Sequence, residues 1–192
     1  MDPELWGPFA WFILHEITLS YPENPEENIK EIYRTFFLDF GRLIPCDICR
    51  NNFKNHLQQY PLNDDILGSR IELVKWLINI HNCVNILNDK KIVSYDEFIE
   101  ENNSMKELMD REVYANNFDT QLMLLLEYII SNISDEIDIF KNLLKNLVYV
   151  APDINRDRYI KILNDNDYNN IRDKNDCIVW LKQYEKLISN FH

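Results

Sequence analysis

A chain of 192 residues, 46% of them hydrophobic, is long enough for one ordinary domain or two small ones, each burying a core of its own. Its formal net charge of -12 repels phosphate backbones and anionic lipid, so nucleic acid is not an expected partner. Three glycines argue against nucleotide folds built on glycine-rich turns, and four cysteines are too few to staple a chain of this length, which points cysteine toward chemistry.

The opening Met1-Asp2-Pro3-Glu4-Leu5-Trp6 lacks the positive flank and apolar run of a secretory signal. Leu73 to Leu87 is apolar but broken by Lys75, Asn79, His81, Asn82 and Asn85, short of the ~20 residues that cross a bilayer. The expectation is a soluble chain with no signal peptide and no membrane span.

Trp11, Leu14, His15 and Thr18 recur at helical spacing in a segment closed by Tyr21-Pro22, which predicts a first helix. Asn24-Pro25-Glu26-Glu27 reads as the capped start of a second, running toward Phe40. Pro45 precedes Cys46, and Cys49, Phe53, His56 and Leu57 continue at three-and-four spacing, so the Cys-x-x-Cys pair opens a third. Leu73, Trp76, Leu77, Ile80, Val84 and Leu87 describe a fourth, and Ser94-x-x-Glu97 is a capping-box spacing that starts a short fifth. Near Asn103 the composition turns to Asn, Asp and Ile, which predicts a boundary between a domain at 1–103 and another at 104–192. Ser134-Asp135-Glu136 begins a helix ending before Ala151-Pro152, and Cys177, Trp180, Leu181, Tyr184, Leu187 and Ile188 mark the apolar face of a last one. No stretch alternates with period two, so the fold class is all-α.

Three features could carry chemistry. Cys46-Asp47-Ile48-Cys49 places two thiols one helical turn apart, able to close a disulfide, at a helix N-terminus that stabilises a thiolate; half a zinc site or two incidental thiols would look the same. His81, Asn82 and Asn85 interrupt an apolar helix, and buried polar groups need partners, either a bound polar cofactor or neighbouring helices. In Trp6-Gly7-Pro8-Phe9-Ala10-Trp11-x-x-Leu14-His15, Trp11 and His15 could present flat faces to a planar ligand and Gly7 allow close backbone approach, although an aromatic stripe on a first helix also reads as core.

Taken in order, Trp11, Leu14, His15, Tyr21, Pro22, Pro45, Cys46, Cys49, Trp76, His81, Asn82, Val84, Asn85 and Lys90 resemble the pattern of the FAD-dependent sulfhydryl oxidases of the Erv/ALR family. The resemblance covers the first half of the chain and stops before Asn103. It implies a four-helix bundle plus a short fifth helix that grips FAD, usually as a homodimer, followed here by a second helical domain. It implies that Cys46 exchanges with a thiol-bearing protein substrate, that Cys49 passes electrons to the flavin, and that oxygen is reduced to hydrogen peroxide. Carried over as FAD contacts are Trp11, His15, Tyr21, His81, Asn82, Val84, Asn85 and Lys90, with Trp6, Gly7, Trp76, Lys91 and Tyr95 as further candidates; Lys90 suits the phosphates as a point charge.

The chain lacks the second, mobile cysteine pair of many relatives, and the isolated Cys83 and Cys177 read as packing thiols. In this it is similar to the minimal forms encoded by large cytoplasmic DNA viruses, which implies work in host cytosol and a dedicated, thioredoxin-like acceptor. The rival expectation is a zinc-binding interaction module built on Cys46, Cys49, His81 and Cys83, made awkward by His81 and Cys83 standing two apart on one helix.

Overall fold

The structure is a computed structural model and describes residues 1–191. Among these the only regular elements are helices: α1 (Pro3–Leu19), α2 (Glu27–Leu43), α3 (Asp47–Gln59), α4 (Arg70–Leu87), α5 (Tyr95–Leu108), α6 (Arg111–Asn132), α7 (Ile137–Val150), α8 (Asp153–Asp165) and α9 (Lys174–Ile188), with short 3-10 turns at Ile66–Gly68 and Tyr168–Asn170.

The local chemistry sets most of the boundaries. The Asp2 carboxylate accepts from the Glu4 N–H with Pro3 in the first turn of α1, Ser69 caps α4, Asp110 caps α6 and Asp173 caps α9. Ser94 and Glu97 form the reciprocal capping box expected of α5, but that helix is 14 residues long and runs through Asn103 rather than stopping short of it. Asn24 does not cap α2. The N-cap is Glu26, with no side-chain bond, and Pro25 stands outside the helix. At its other end α2 passes Phe40 by nearly a turn and stops at Ile44, which precedes Pro45 and is turned out to φ -52, ψ 123. Ser134 does not begin α7 either; its N–H and hydroxyl bond to the Glu136 carboxylate in a tight turn before the helix.

In the first half, α1 packs on α4, α3 lies across α2 and α4, and the edge of the Phe37 ring meets Trp76 at 5.0 Å. The later helices close over that group: α6 covers α1, α7 covers α2, and α8 and α9 pack behind α6. Phe140, Leu143, Leu144, Leu147 and Val150 are all buried on α7, at about 1.5–3 kcal/mol for each large side chain removed from water. One continuous apolar core therefore runs from Trp6 to Ile188. The fully buried Asp119 of α6 is held by Asn155 at 2.7 Å, Tyr159 at 2.6 Å and Arg158 at 2.7 Å, which fastens α8 to α6.

Candidate active site

Cys46 and Cys49 are joined in a disulfide, with Cα atoms 5.1 Å apart. Cys46 is the N-cap of α3, and its Sγ accepts the Cys49 N–H at 3.2 Å, at the positive end of the helix dipole. A thiolate released here is stabilised by the same groups. Arg50 donates to the Ile44 carbonyl at 2.7 Å and pairs with Asp47, bracing the turn that precedes the helix. Both sulfurs are half-buried against the core, whereas Ile48 between them is 73% exposed. The height of α3 is set by Gly41 of α2, because a Cβ there would stand 2.5 Å from two ring carbons of Phe53.

On the neighbouring helices Trp11 stacks on His81 with ring centroids 3.9 Å apart and planes within 7°. His15 Nε2 and His81 Nδ1 share a hydrogen bond of 3.0 Å, and Phe98 of α5 covers the other side of the His15 ring at 4.5 Å. Burial, reinforced by the charge on His81, holds His15 down to about 3, and burial with the Lys90 ammonium holds His81 down to about 4. Both imidazoles are therefore uncharged at neutral pH. Whichever nitrogens carry the protons, buried His15 Nδ1 has no partner, and neither does Trp6 Nε1. Buried Gly7 has open space beside it, since a Cβ built there would meet nothing within 4 Å.

The chain leaving α4 is a pinned strap. Lys90 N–H bonds to the Asn85 carbonyl at 2.8 Å and Asp89 N–H to that of Ile86 at 3.3 Å, a Schellman closure with Asp89 at φ 52 in the left-handed region. Asn82 donates to the Val93 carbonyl at 2.8 Å and accepts its N–H at 3.0 Å, while Asn85 donates to the Lys91 carbonyl at 3.2 Å. Lys90 and Lys91 project from this strap as exposed cations, the latter 3.1 Å from Glu97.

The structure thus brings Trp11, His15 and His81 together, with the Lys90 cation near enough to act on His81, while the Lys91 ammonium pairs with Glu97. It gives the amides of Asn82 and Asn85 to the strap backbone, the helix-linking role that stood open beside the ligand role. Half-buried Val84 lies on α4 between these two asparagines. Tyr21 and Trp76 are core side chains: Tyr21 packs on the Tyr33 ring and its hydroxyl donates to the Leu67 carbonyl at 2.9 Å, and Trp76 Nε1 donates to that of Tyr60 at 2.9 Å. Tyr95 opens α5 beneath the Lys75 ammonium, 5.7 Å from its ring centre. Phe98 was missed; the available signal was the spacing of Tyr95, Phe98, Ile99 and Asn102 along one face of α5.

Burial raises both remaining thiols, Cys177 to about 11, and a hydrogen bond from Tyr60 opposes the rise at Cys83. Neither is a thiolate at neutral pH. The zinc set does not assemble: two of its sulfurs are bonded to each other, His81 Nδ1 is taken by His15, and no metal-holding group of His, Cys, Asp or Glu occurs among the described residues. An open cleft of about 510 Å³ has walls that include Ser134, Asp138, Lys141 and Arg172 and none of the residues of this site.

An all-helical bundle with a disulfide across the mouth of one helix, and a packed Trp–His–His group on two others, has the features of a thiol–disulfide redox protein. The model of the Erv1/Alr family matches residues 9–104, and the chain belongs to that family. A protein of Acanthamoeba polyphaga mimivirus described as a "probable FAD-linked sulfhydryl oxidase" is 48% identical over 100 residues, covering 52% of this chain and 70% of that one. The FAD-linked sulfhydryl oxidase of an African swine fever virus isolate is 33% identical over 48% of this chain and 76% of its own. The mitochondrial FAD-linked sulfhydryl oxidase of Saccharomyces cerevisiae is 32% identical over 44% of this chain, which spans 43% of that protein.

Proposed function

We propose that the chain is an FAD-linked sulfhydryl oxidase that forms disulfides in protein thiols, with oxygen as final acceptor. The observation that carries this is the closed Cys46–Cys49 bond at the N-terminus of α3, in a chain whose family relatives bear that activity in their names. A substrate thiolate attacks Cys46 Sγ and Cys49 leaves as the thiolate. A second substrate thiolate then attacks the mixed disulfide, so the substrate departs oxidised and both site cysteines are left reduced. FAD, when bound, supplies the two-electron acceptor that reoxidises the pair and passes the electrons to oxygen, giving hydrogen peroxide.

The residues present fit that group. His15 Nδ1 and Trp6 Nε1 are buried polar atoms in want of a partner, and the space beside Gly7 admits a close neighbour. Trp11 and His81 already touch, so a planar ring is not held between these two. Trp6, Gly7, Trp11, His15, His81 and Val84 are proposed to hold it directly, with Lys90 and Lys91 at the phosphates. Asn82, Asn85 and Tyr95 act through the strap and the start of α5, and Tyr21 and Trp76 by fixing α1 and α4 from the core. Uncharged imidazoles suit this task, offering flat faces and neutral hydrogen-bonding nitrogens without a desolvated charge.

The proposed organisation is an oxidase domain at 1–103 and a helical C-terminal domain at 104–192 that share one core and are joined within α5. A homodimer is proposed in which the exposed Ile86, Leu87 and Ile92 supply apolar contact. No helix of the described residues is long and apolar enough to cross a membrane. The proposed setting is host cytosol, with a thioredoxin-like protein as the thiol substrate, because direct exchange at Cys46 shields the new disulfide from glutathione.

Purified protein is expected to stay yellow after desalting and to consume oxygen with a dithiol. Cys46→Ser and Cys49→Ser should each abolish turnover while keeping the flavin. A colourless protein carrying stoichiometric zinc would overturn the reading.

A further inference from the structure

Glu16 follows His15 on α1 and faces α5 and α6. Its side chain is 2% exposed, yet three partners meet the carboxylate: Asn102 Nδ2 donates to Oε1 at 3.0 Å, Lys106 Nζ stands 3.1 Å from Oε2, and the Tyr114 hydroxyl donates to Oε2. The Lys106 ammonium also lies over the Tyr114 ring, 5.1 Å from its centre, tying the α5 partner to the α6 partner. A carboxylate withdrawn from water is tolerated only when charge and hydrogen bonds replace its hydration, and that condition ties the position of α1 to these three side chains.

Phe98, Asn102 and Lys106 lie at four-residue intervals, one stripe of α5. The stripe meets two consecutive residues of α1: Phe98 packs on the His15 ring, and Asn102 and Lys106 grip Glu16. Consecutive residues on a helix are about 100° apart, so holding Glu16 sets the azimuth at which His15 leaves α1. Two of the gripping residues, Lys106 and Tyr114, stand beyond residue 104, where the family match ends.

We propose that Asn102, Lys106 and Tyr114 are positioning residues: by clamping the buried Glu16 carboxylate they fix the rotation of α1 and seat His15 against His81 and Trp11, so residues outside the family region tune cofactor affinity. The affinity clause rests on the flavin reading above; the seating of His15 does not. The chain after residue 104 thereby takes a part in the site, beyond cover for the core.

Tyr159 provides a matched control, because it donates its hydroxyl to a second buried carboxylate, Asp119 of α6, whose side-chain partners Asn155, Arg158 and Tyr159 all stand on α8 rather than on α1 or α5. In the 192-residue chain, Tyr114→Phe and Tyr159→Phe each remove one phenolic hydroxyl from a buried carboxylate, and both should lower Tm. Only Tyr114→Phe and Lys106→Met should shift the imidazole NMR resonances of His15 in flavin-free protein. The same two should weaken FAD binding, followed by fluorescence titration, between about twofold and thirtyfold, the usual range of coupling through a packed network. Lys106→Arg, which keeps the cation, should restore most of the affinity. If Tyr114→Phe and Lys106→Met lower Tm while the His15 resonances and FAD affinity match wild type, the clamp is structural only and the inference falls. If wild-type protein binds no FAD, the flavin reading fails and the resonances decide alone: a His15 shift in Tyr114→Phe but not in Tyr159→Phe upholds the seating, and no shift overturns it.

Discussion

Phe53 reaches across from α3 and lays its ring where the side chain of residue 41 would be, so α2 and α3 can approach only because that residue is glycine. Alanine there gains about 1 kcal/mol of helix propensity but overpacks the contact, which typically costs about 1–3 kcal/mol. A clash 2.5 Å from two carbons of a buried ring lies at the upper end of that range. Gly41→Ala is therefore expected to lower Tm, and because the shift is transmitted along α3 to Cys46, dithiol turnover should fall with it. Gly68→Ala, where a Cβ meets nothing within 4 Å, should change neither in parallel melting and oxygen-uptake assays. The imidazoles give a second prediction. His15 and His81 sit near 3 and 4 in the fold and return to 6.5 on unfolding, so below pH 6.5 the unfolded chain binds more protons. Stability is then complete above that pH and falls as acid is added, by up to about 1.4 kcal/mol per pH unit for each ring. Flavin-free protein melted between pH 7 and 5 should lose Tm steadily, and His81→Gln should flatten the slope; an unchanged slope counts against neutral burial.

Among the elements, the strap between α4 and α5 shows what local sequence can and cannot tell. Ser94 and Glu97 announce their capping box by spacing alone, because both partners lie within one turn. Cys46 and Cys49 are legible for the same reason. Asn82 and Asn85 are not, since their amides bond to backbone that returns only after α4 has ended, and a bound cofactor would explain the same two residues equally well. The pairings of Phe98 with His15 and of Asn102 with Glu16 were invisible because they depend on how α5 crosses α1. Asp89 carries a testable strain: its left-handed φ of 52 suits glycine at the position after a helix cap. Asp89→Gly is expected to stabilise the protein by up to about 1 kcal/mol, or about 2–4 °C in Tm for a chain of this size, in a thermal melt. A fall in Tm would mean that the Asp89 side chain contributes more than its backbone costs.

At the scale of the whole molecule, the helices after Asn103 cover the first group rather than trailing from it. The composition shift that marks residue 103 falls inside α5, and α6 and α8 escaped delimitation because neither carries a clean stripe: α6 is contacted by α1, α8 and α9 at once, so apolar residues appear on several of its sides. The consequence is measurable. Residues 1–103 alone would leave bare the faces of α1 and α2 that α6 and α7 cover, and would lose the Tyr33 hydroxyl's bond to the Val150 carbonyl and the pairing of Asp39 with Asn142. Exposed apolar faces of that extent associate rather than remain in water. The fragment is therefore expected to sediment as aggregate or to melt well below the full chain, even though it holds every motif that the family pattern shares. A monodisperse 1–103 fragment with wild-type Tm would show instead that the oxidase bundle is self-sufficient and that α6 and α7 only rest upon it.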